Sequence, residues 1–156
     1  MDLLPFDTGH ATTVASWPVS AAEVVRWCGL RDFPVAGSTV AAWQHETDVS
    51  ARMLVEGEQL VGYGELWCDA EEDEVELARI IVAPGARGRG LGRVVVRGLL
   101  AEARRSGLSE VFMRVHPDNA GALRCHRGAG FGPVDAESAE AWNAGQPVDY
   151  VWLRPT

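Results

Sequence analysis

No lysine occurs in this chain: all 14 basic residues are arginine. A Walker A phosphate loop, which ends in Gly-Lys-Ser/Thr, is excluded by that absence alone. Cysteine is scarce and odd in number. Cys28, Cys68 and Cys125 are scattered, with no Cys-x-x-Cys or Cys/His ligand spacing, so neither a disulfide framework nor a metal site is expected. No apolar run approaches the roughly 18 residues of a membrane span, and the opening MDLLPFDTGH carries two acids where a secretory leader carries basic residues. The expectation is a soluble, cytoplasmic protein with no membrane partner. Repeats, low-complexity tracts and Pro/Ser linkers are also missing, so residues 1–156 parse as a single domain. At that length about 70% of the unfolded chain's surface can leave water, enough for a core without metal or disulfide support.

Positive charge is in short supply overall, with a formal balance of -8, which disfavours a nucleic-acid partner because such binding rests on neutralising phosphates. The distribution says more than the total. From Arg79 to Arg127 ten arginines stand against three acids, so this segment carries +7 and the remainder -15. One stretch is prepared for an anion, while the rest favours cations through its long-range field.

The hydrophobic pattern reads as mixed α/β. Leu3 to Phe6 suggests a short opening strand and His10 to Ser16 a helical stretch. Ser20-Ala-Ala-Glu23 spells a capping box for a helix that Gly29 stops, and Val40 to His45 suggests another short helix. Arg52–Glu56, Gln59–Cys68 and Val75–Val82 are three apolar runs separated by turn residues, the pattern of an antiparallel meander. The period then changes: Leu91, Val94, Val95, Leu99 and Ala103 share one face of a helix ending at Gly107. A strand over Val111–Val115, a helix over Asn119–Arg127, a strand over Gly130–Val134, a polar loop and a last strand over Val148–Leu153 complete the reading.

Between the third meander strand and the long helix lies Val82-Ala-Pro-Gly-Ala-Arg87-Gly88-Arg89-Gly90-Leu91-Gly92. Glycines at 88, 90 and 92 let the backbone aim its amides at one point without side chains in the way. The helix start adds unpaired N–H groups and the positive end of its dipole, and Arg87, Arg89 and Arg93 add charge. This is an anion cradle. It is not a dinucleotide fingerprint, because from Gly88 the third glycine of GxGxxG falls on Arg93, and the strand before it belongs to a meander rather than a parallel βαβ unit.

The spelling Arg87-Gly-Arg-Gly90-Leu-Gly92, with Val82-Ala-Pro84 upstream, resembles the pyrophosphate loop of the GCN5-related N-acetyltransferase (GNAT) superfamily. A second stretch, Asn119-x-x-Ala122-x-x-x-His126-x-x-x-Gly130-Phe131, is similar to that family's later motif, in which the position of His126 is most often tyrosine. The resemblance covers about Ala51 to Phe131. It implies a mostly antiparallel, splayed mixed sheet flanked by helices, and acetyl-CoA as cosubstrate with no metal. It also implies backbone contacts to the pantetheine arm from Ile80, Ile81 and Val82, pyrophosphate contacts from Arg87, Gly88, Arg89, Gly90, Leu91 and Gly92, and a further contact from Asn119. Transfer of acetyl to a primary amine by direct attack follows, and the alternative is a non-catalytic acyl-CoA-binding module. A homodimer is an expectation at family level only.

An alkylamine with a pKa near 10.4 is roughly one part in a thousand neutral at pH 7, so it must lose a proton before it attacks. Glu76, eleven residues before Arg87, occupies the position where related histone-type enzymes carry a catalytic glutamate; Glu65 is the second candidate base. By the same resemblance His126 takes the place of the tyrosine that protonates the leaving thiolate, a task an imidazolium can perform. Trp17, Trp27 and Trp43 fall in N-terminal helices that in relatives shape the acceptor site. The acidic remainder of the chain points to a small-molecule or peptide amine of cationic character as acceptor. Arg114 stands where the ribosomal-protein N-terminal acetyltransferases place an acid, which argues against that subfamily.

Overall fold

A computed structural model describes all residues from Met1 to Thr156. Seven strands form one sheet: β1 (Leu3–Pro5), β2 (Val49–Glu56), β3 (Gln59–Asp69), β4 (Glu74–Val82), β5 (Glu110–Val115), β6 (Phe131–Pro133) and β7 (Val151–Pro155). Their order is β1-β2-β3-β4-β5-β7-β6. Every neighbouring pair is antiparallel except β4 and β5, so the sheet is mixed and mostly antiparallel as expected.

Six helices flank it: α1 (Ala11–Ala15), α2 (Ala21–Cys28), α3 (Gly37–Trp43), α4 (Leu91–Arg105), α5 (Ala120–Gly128) and α6 (Ala136–Asn143). Ser20 caps α2 by accepting from the Glu23 amide at 3.1 Å, and Gly29 closes it in the left-handed conformation that only glycine adopts cheaply. Burial falls on two faces. Leu91, Val95, Val96, Leu99, Leu100 and Ala103 of α4 bury against one face of the sheet, each large aliphatic contributing roughly 1.5–3 kcal/mol. Gly64 of β3 admits this close approach, since a Cβ there would lie 2.7 Å from Leu99. The opposite face is covered by α1, α2 and α3 through Val14, Val24, Val40 and Trp43, packed on Tyr63 and Ile81.

Two departures from the sequence reading bear on function. The stretch expected as a polar loop contains α6, capped by Asp135, whose side chain accepts from the Ser138 amide at 3.0 Å. This helix buries none of its residues, so it leaves no apolar period to read. The meander also carries an irregularity: Glu65 faces Ala78 and Tyr63 faces Ile81, which leaves Arg79 and Ile80 together opposite Gly64. That is a β-bulge, and Arg79 sits in it at φ 48°, a left-handed conformation that costs a side-chain-bearing residue roughly 1–2 kcal/mol.

Candidate active site

The parallel pairing of β4 with β5 lasts only from Glu74 to Glu76, opposite Glu110 to Phe112. Beyond Glu76, β4 stays with β3 while β5 turns to β7 through Met113–Val115. The two strands splay, and α4 and α5 frame the gap. A cavity of about 680 Å³ opens there. Its wall contains Ile80, Ile81 and Val82 from β4, Arg87, Gly88, Gly90, Leu91 and Gly92 from the loop, and Asn119 and His126 from α5.

The loop leaves its donors free. No amide from Gly88 to Arg93 donates to a protein acceptor; the first bond of α4 is Val94 N–H to the Gly90 carbonyl. Gly88 and Gly90 hold φ of 78° and 80°, which supplies the tight turning the cradle requires. A run of free amides at the positive end of a 15-residue helix suits a diphosphate. Asn119 uses its side-chain oxygen to cap α5, accepting from the Ala122 amide at 3.2 Å.

The arginines divide in a way the sequence did not reveal. Arg87 pairs with Glu23 at 2.5 Å, and Arg89 reaches away from the cavity to form a bidentate pair with Glu56 at 2.7 and 3.0 Å. Arg26, Arg93 and Arg124 line the cavity without an ion pair or side-chain hydrogen bond to a protein acceptor. These three were not singled out from sequence as a set of free cations, because their freedom depends on which acids the fold brings near their neighbours.

The proton-handling candidates are placed differently from one another. His126 is 7% exposed, its Nδ1 is buried without a partner, and burial pushes its pKa down to about 4. It is therefore neutral at pH 7, and a role in protonating the thiolate would fall to the neutral ring rather than to an imidazolium. Glu76 lies outside the large cavity. It lines the smaller one, and Arg114 donates to each of its carboxylate oxygens at 2.7 Å, an ion pair with which any role as a base has to compete. Glu65 is fully buried and lies in neither cavity wall; it accepts from the Tyr63 hydroxyl, from Trp67 Nε1 at 2.7 Å and from Arg79 at 3.0 Å. Burial raises its pKa, and the Arg79 charge and these three donors work in the opposite direction. Of the N-terminal tryptophans, Trp27 reaches both the large cavity and a smaller one of about 170 Å³ beside it, while Trp17 and Trp43 are core residues.

Residues 15–131 match the model of the acetyltransferase (GNAT) family. The chain belongs to that family. Among curated relatives, the streptothricin acetyltransferase of Streptomyces lavendulae is 34% identical over 80 residues, covering 51% of this chain and 42% of the relative. The mycothiol acetyltransferase of Corynebacterium glutamicum (strain R) is 30% identical over 122 residues, covering 75% of this chain and 40% of the relative. This GNAT chain thus spans about two fifths of the length of those relatives. Among solved structures, AAC(6')-Ib with ribostamycin and coenzyme A superposes with a TM-score of 0.75 at 18% identity, over 99% of this chain and 92% of that one. The spermidine N-acetyltransferase of Vibrio cholerae with CoA and spermine gives 0.68 at 17% identity, over 85% and 81%. These likenesses show a shared GNAT fold.

Proposed function

We propose that this protein transfers acetyl from acetyl-CoA to a primary amine by direct attack. The observation that carries the reading is the run of amides from Gly88 to Arg93 without a protein acceptor, beside two left-handed glycines in the wall of a cavity that also holds Ile80, Ile81, Val82 and Asn119. The loop amides would hold the pyrophosphate, with Arg93 and Arg124 adding charge, and the exposed edge of β4 would pair with the pantetheine arm. Leu91, Ala86 and Ala122 supply apolar walls.

The reaction balances without a further reactant. The amine nitrogen's lone pair forms a bond to the thioester carbonyl carbon, the carbon–sulfur bond breaks with its pair on sulfur, and the ammonium form of the acceptor has given up two protons, one to the thiol and one to water. Holding carbonyl and amine together supplies the main acceleration, because it makes a bimolecular attack nearly unimolecular. A β4 amide donating to the carbonyl oxygen adds electrostatic stabilisation. In this proposal His126 shapes the wall of the cavity rather than donating as an imidazolium, and Glu76 anchors Arg114.

Steady-state CoA release with an amine panel, together with calorimetry of acetyl-CoA, tests the reading. Acetyl-CoA binding and amine-dependent CoA release are expected. Gly90→Asp places a charge and a strained side chain against the diphosphate and is expected to weaken acetyl-CoA at least tenfold. Unchanged affinity overturns the cradle, and binding without CoA release for any amine overturns the transferase in favour of a binding module.

A further inference from the structure

The smaller cavity abuts the larger one, sharing Arg26 and Trp27 of α2, and it opens on the far side of the β4 bulge. Resting on the transferase reading, the acceptor's place is here, because this cavity meets the larger one at Arg26 and Trp27 and continues along β4 through Glu76, Ala78 and Arg79. What the cavity can hold is decided by which polar groups remain unengaged. Its one carboxylate, Glu76, is charge-balanced by Arg114, which donates to both its oxygens. The guanidinium of Arg79 is balanced by Glu65 at 3.0 Å and Glu46 at 3.7 Å.

The groups left over are donors. Arg26 has no ion pair and no side-chain hydrogen bond. Arg114 keeps Nη1 nearly free, its only contact being Gln146 at 3.5 Å. His116 accepts from the Asp118 amide through Nδ1 at 3.1 Å, which puts the proton of the neutral ring on Nε2. The Tyr150 hydroxyl has no protein partner and works either way. One feature favours a cation: the last turn of α2, Val25 to Gly29, lines the wall with the negative end of its dipole.

We infer that the acceptor is a small amine that also carries an anionic group, of the amino-acid type, with its carboxylate on Arg26, Arg114 and His116 and its nitrogen toward the α2 terminus and the thioester. The -15 balance of the remaining chain does not oppose this, because exposed charges are screened beyond about 8 Å at physiological salt while the cavity donors act at contact. The aromatic and acidic box that suits an organic cation, formed by Trp43, Trp67, Glu65 and Glu46, is already filled by the chain's own Arg79. A volume of about 170 Å³ suits a single residue-sized acceptor rather than a polyamine.

The test compares each acid with its decarboxylated partner: alanine with ethylamine, phenylalanine with phenethylamine, tryptophan with tryptamine, and spermidine beside them. CoA release is measured and kcat/KM is expressed per free amine, so that differences in amine pKa cancel. At least one acid is expected to exceed its partner tenfold or more, and Arg26→Gln is expected to reduce that ratio at least fivefold, chiefly through the KM of the acid. Because the readout is a ratio within one variant, a general loss of activity does not imitate the result. Release with spermidine or the bare amines but not with the acids overturns this inference and leaves the transferase standing, as does an Arg26→Gln variant that keeps the full preference. Absence of release with every compound overturns the transferase reading, which acetyl-CoA calorimetry separates from loss of the cradle.

Discussion

The guanidinium of Arg79 lies 3.9 Å from the ring centroid of Trp43 and 4.9 Å from that of Trp67, sandwiched between them. Two carboxylates complete the enclosure, and the Arg79 carbonyl accepts from Trp27 Nε1 at 2.9 Å. Side chain and backbone of one residue are thus tied to three tryptophans. The residue so tied is the left-handed one that makes the β4 bulge, immediately before Ile80 and Ile81 at the cavity wall.

This arrangement predicts an inverted order of two substitutions. Arg79→Ala loses the stacking and the ion pairs and keeps the backbone strain. Arg79→Gly loses the same contacts and relieves the strain, because glycine takes positive φ without penalty. Glycine is therefore expected to be the more stable variant by about 1 kcal/mol, opposite to its usual rank below alanine in a strand. Urea midpoints at unchanged m-value measure the difference. Alanine equal to or above glycine contradicts the left-handed bulge.

The meander, the glycine loop and both flanking helices were legible because each rests on local chemistry: apolar runs between turn residues, Gly29 and Gly90 beside helical faces, and the Ser20 cap. The bulge was not, since nothing in the string Leu77-Ala-Arg-Ile-Ile marks which residue turns left-handed. Nor was the engagement of the arginines. Arg87 meets Glu23 across 64 residues and Arg114 meets Glu76 across 38, so which charge stays free for a ligand is a property of the packed sheet. For the same reason sequence drew Glu76 as a base, while the fold places Arg114 against both its oxygens.

His126 predicts an acid-sensitive stability. Its pKa falls from 6.5 to about 4 on folding through burial, so the unfolded chain binds the proton more readily. The associated stability is fully present above pH 6.5 and is lost as the pH falls toward 4, amounting to roughly 3 kcal/mol. His126→Phe is expected to flatten the pH dependence of stability between 6.5 and 4 while leaving that above 7 unchanged. Equal slopes for wild type and variant, followed by chemical denaturation across that range, exclude a buried neutral imidazole.

Glu76→Gln separates an anchor from a base. Glu76 is 5% exposed, whereas the Arg114 side chain keeps 31% of its surface in water, so the loss is expected near 2 kcal/mol, below the roughly 3–5 kcal/mol of a fully buried pair. For a chain of this size that lowers Tm by about 4–8 °C. As an anchor, Glu76 affects the acceptor KM through a displaced Arg114. As a base, it lowers kcat by roughly 10²- to 10⁴-fold with little change in the acceptor KM. The split between kcat and KM, on a preparation whose thermal melt shows the expected loss, distinguishes the two.

The two carboxylates that the sequence offers as bases are both engaged: Glu76 is held by Arg114, and Glu65 is enclosed by three donors and lines neither cavity. With both engaged, the amine is expected to shed its proton to water and to react as the small neutral fraction that its own pKa sets. From this follows a pH–rate profile in which log kcat/KM climbs with unit slope from pH 6 and levels off only near the pKa of the amine used. Two acceptors whose pKa values differ by about two units are expected to level off about two units apart. An inflection near pH 6–7 that stays put when the amine is changed belongs to an enzyme group instead, and marks a general base other than the engaged Glu76 and Glu65.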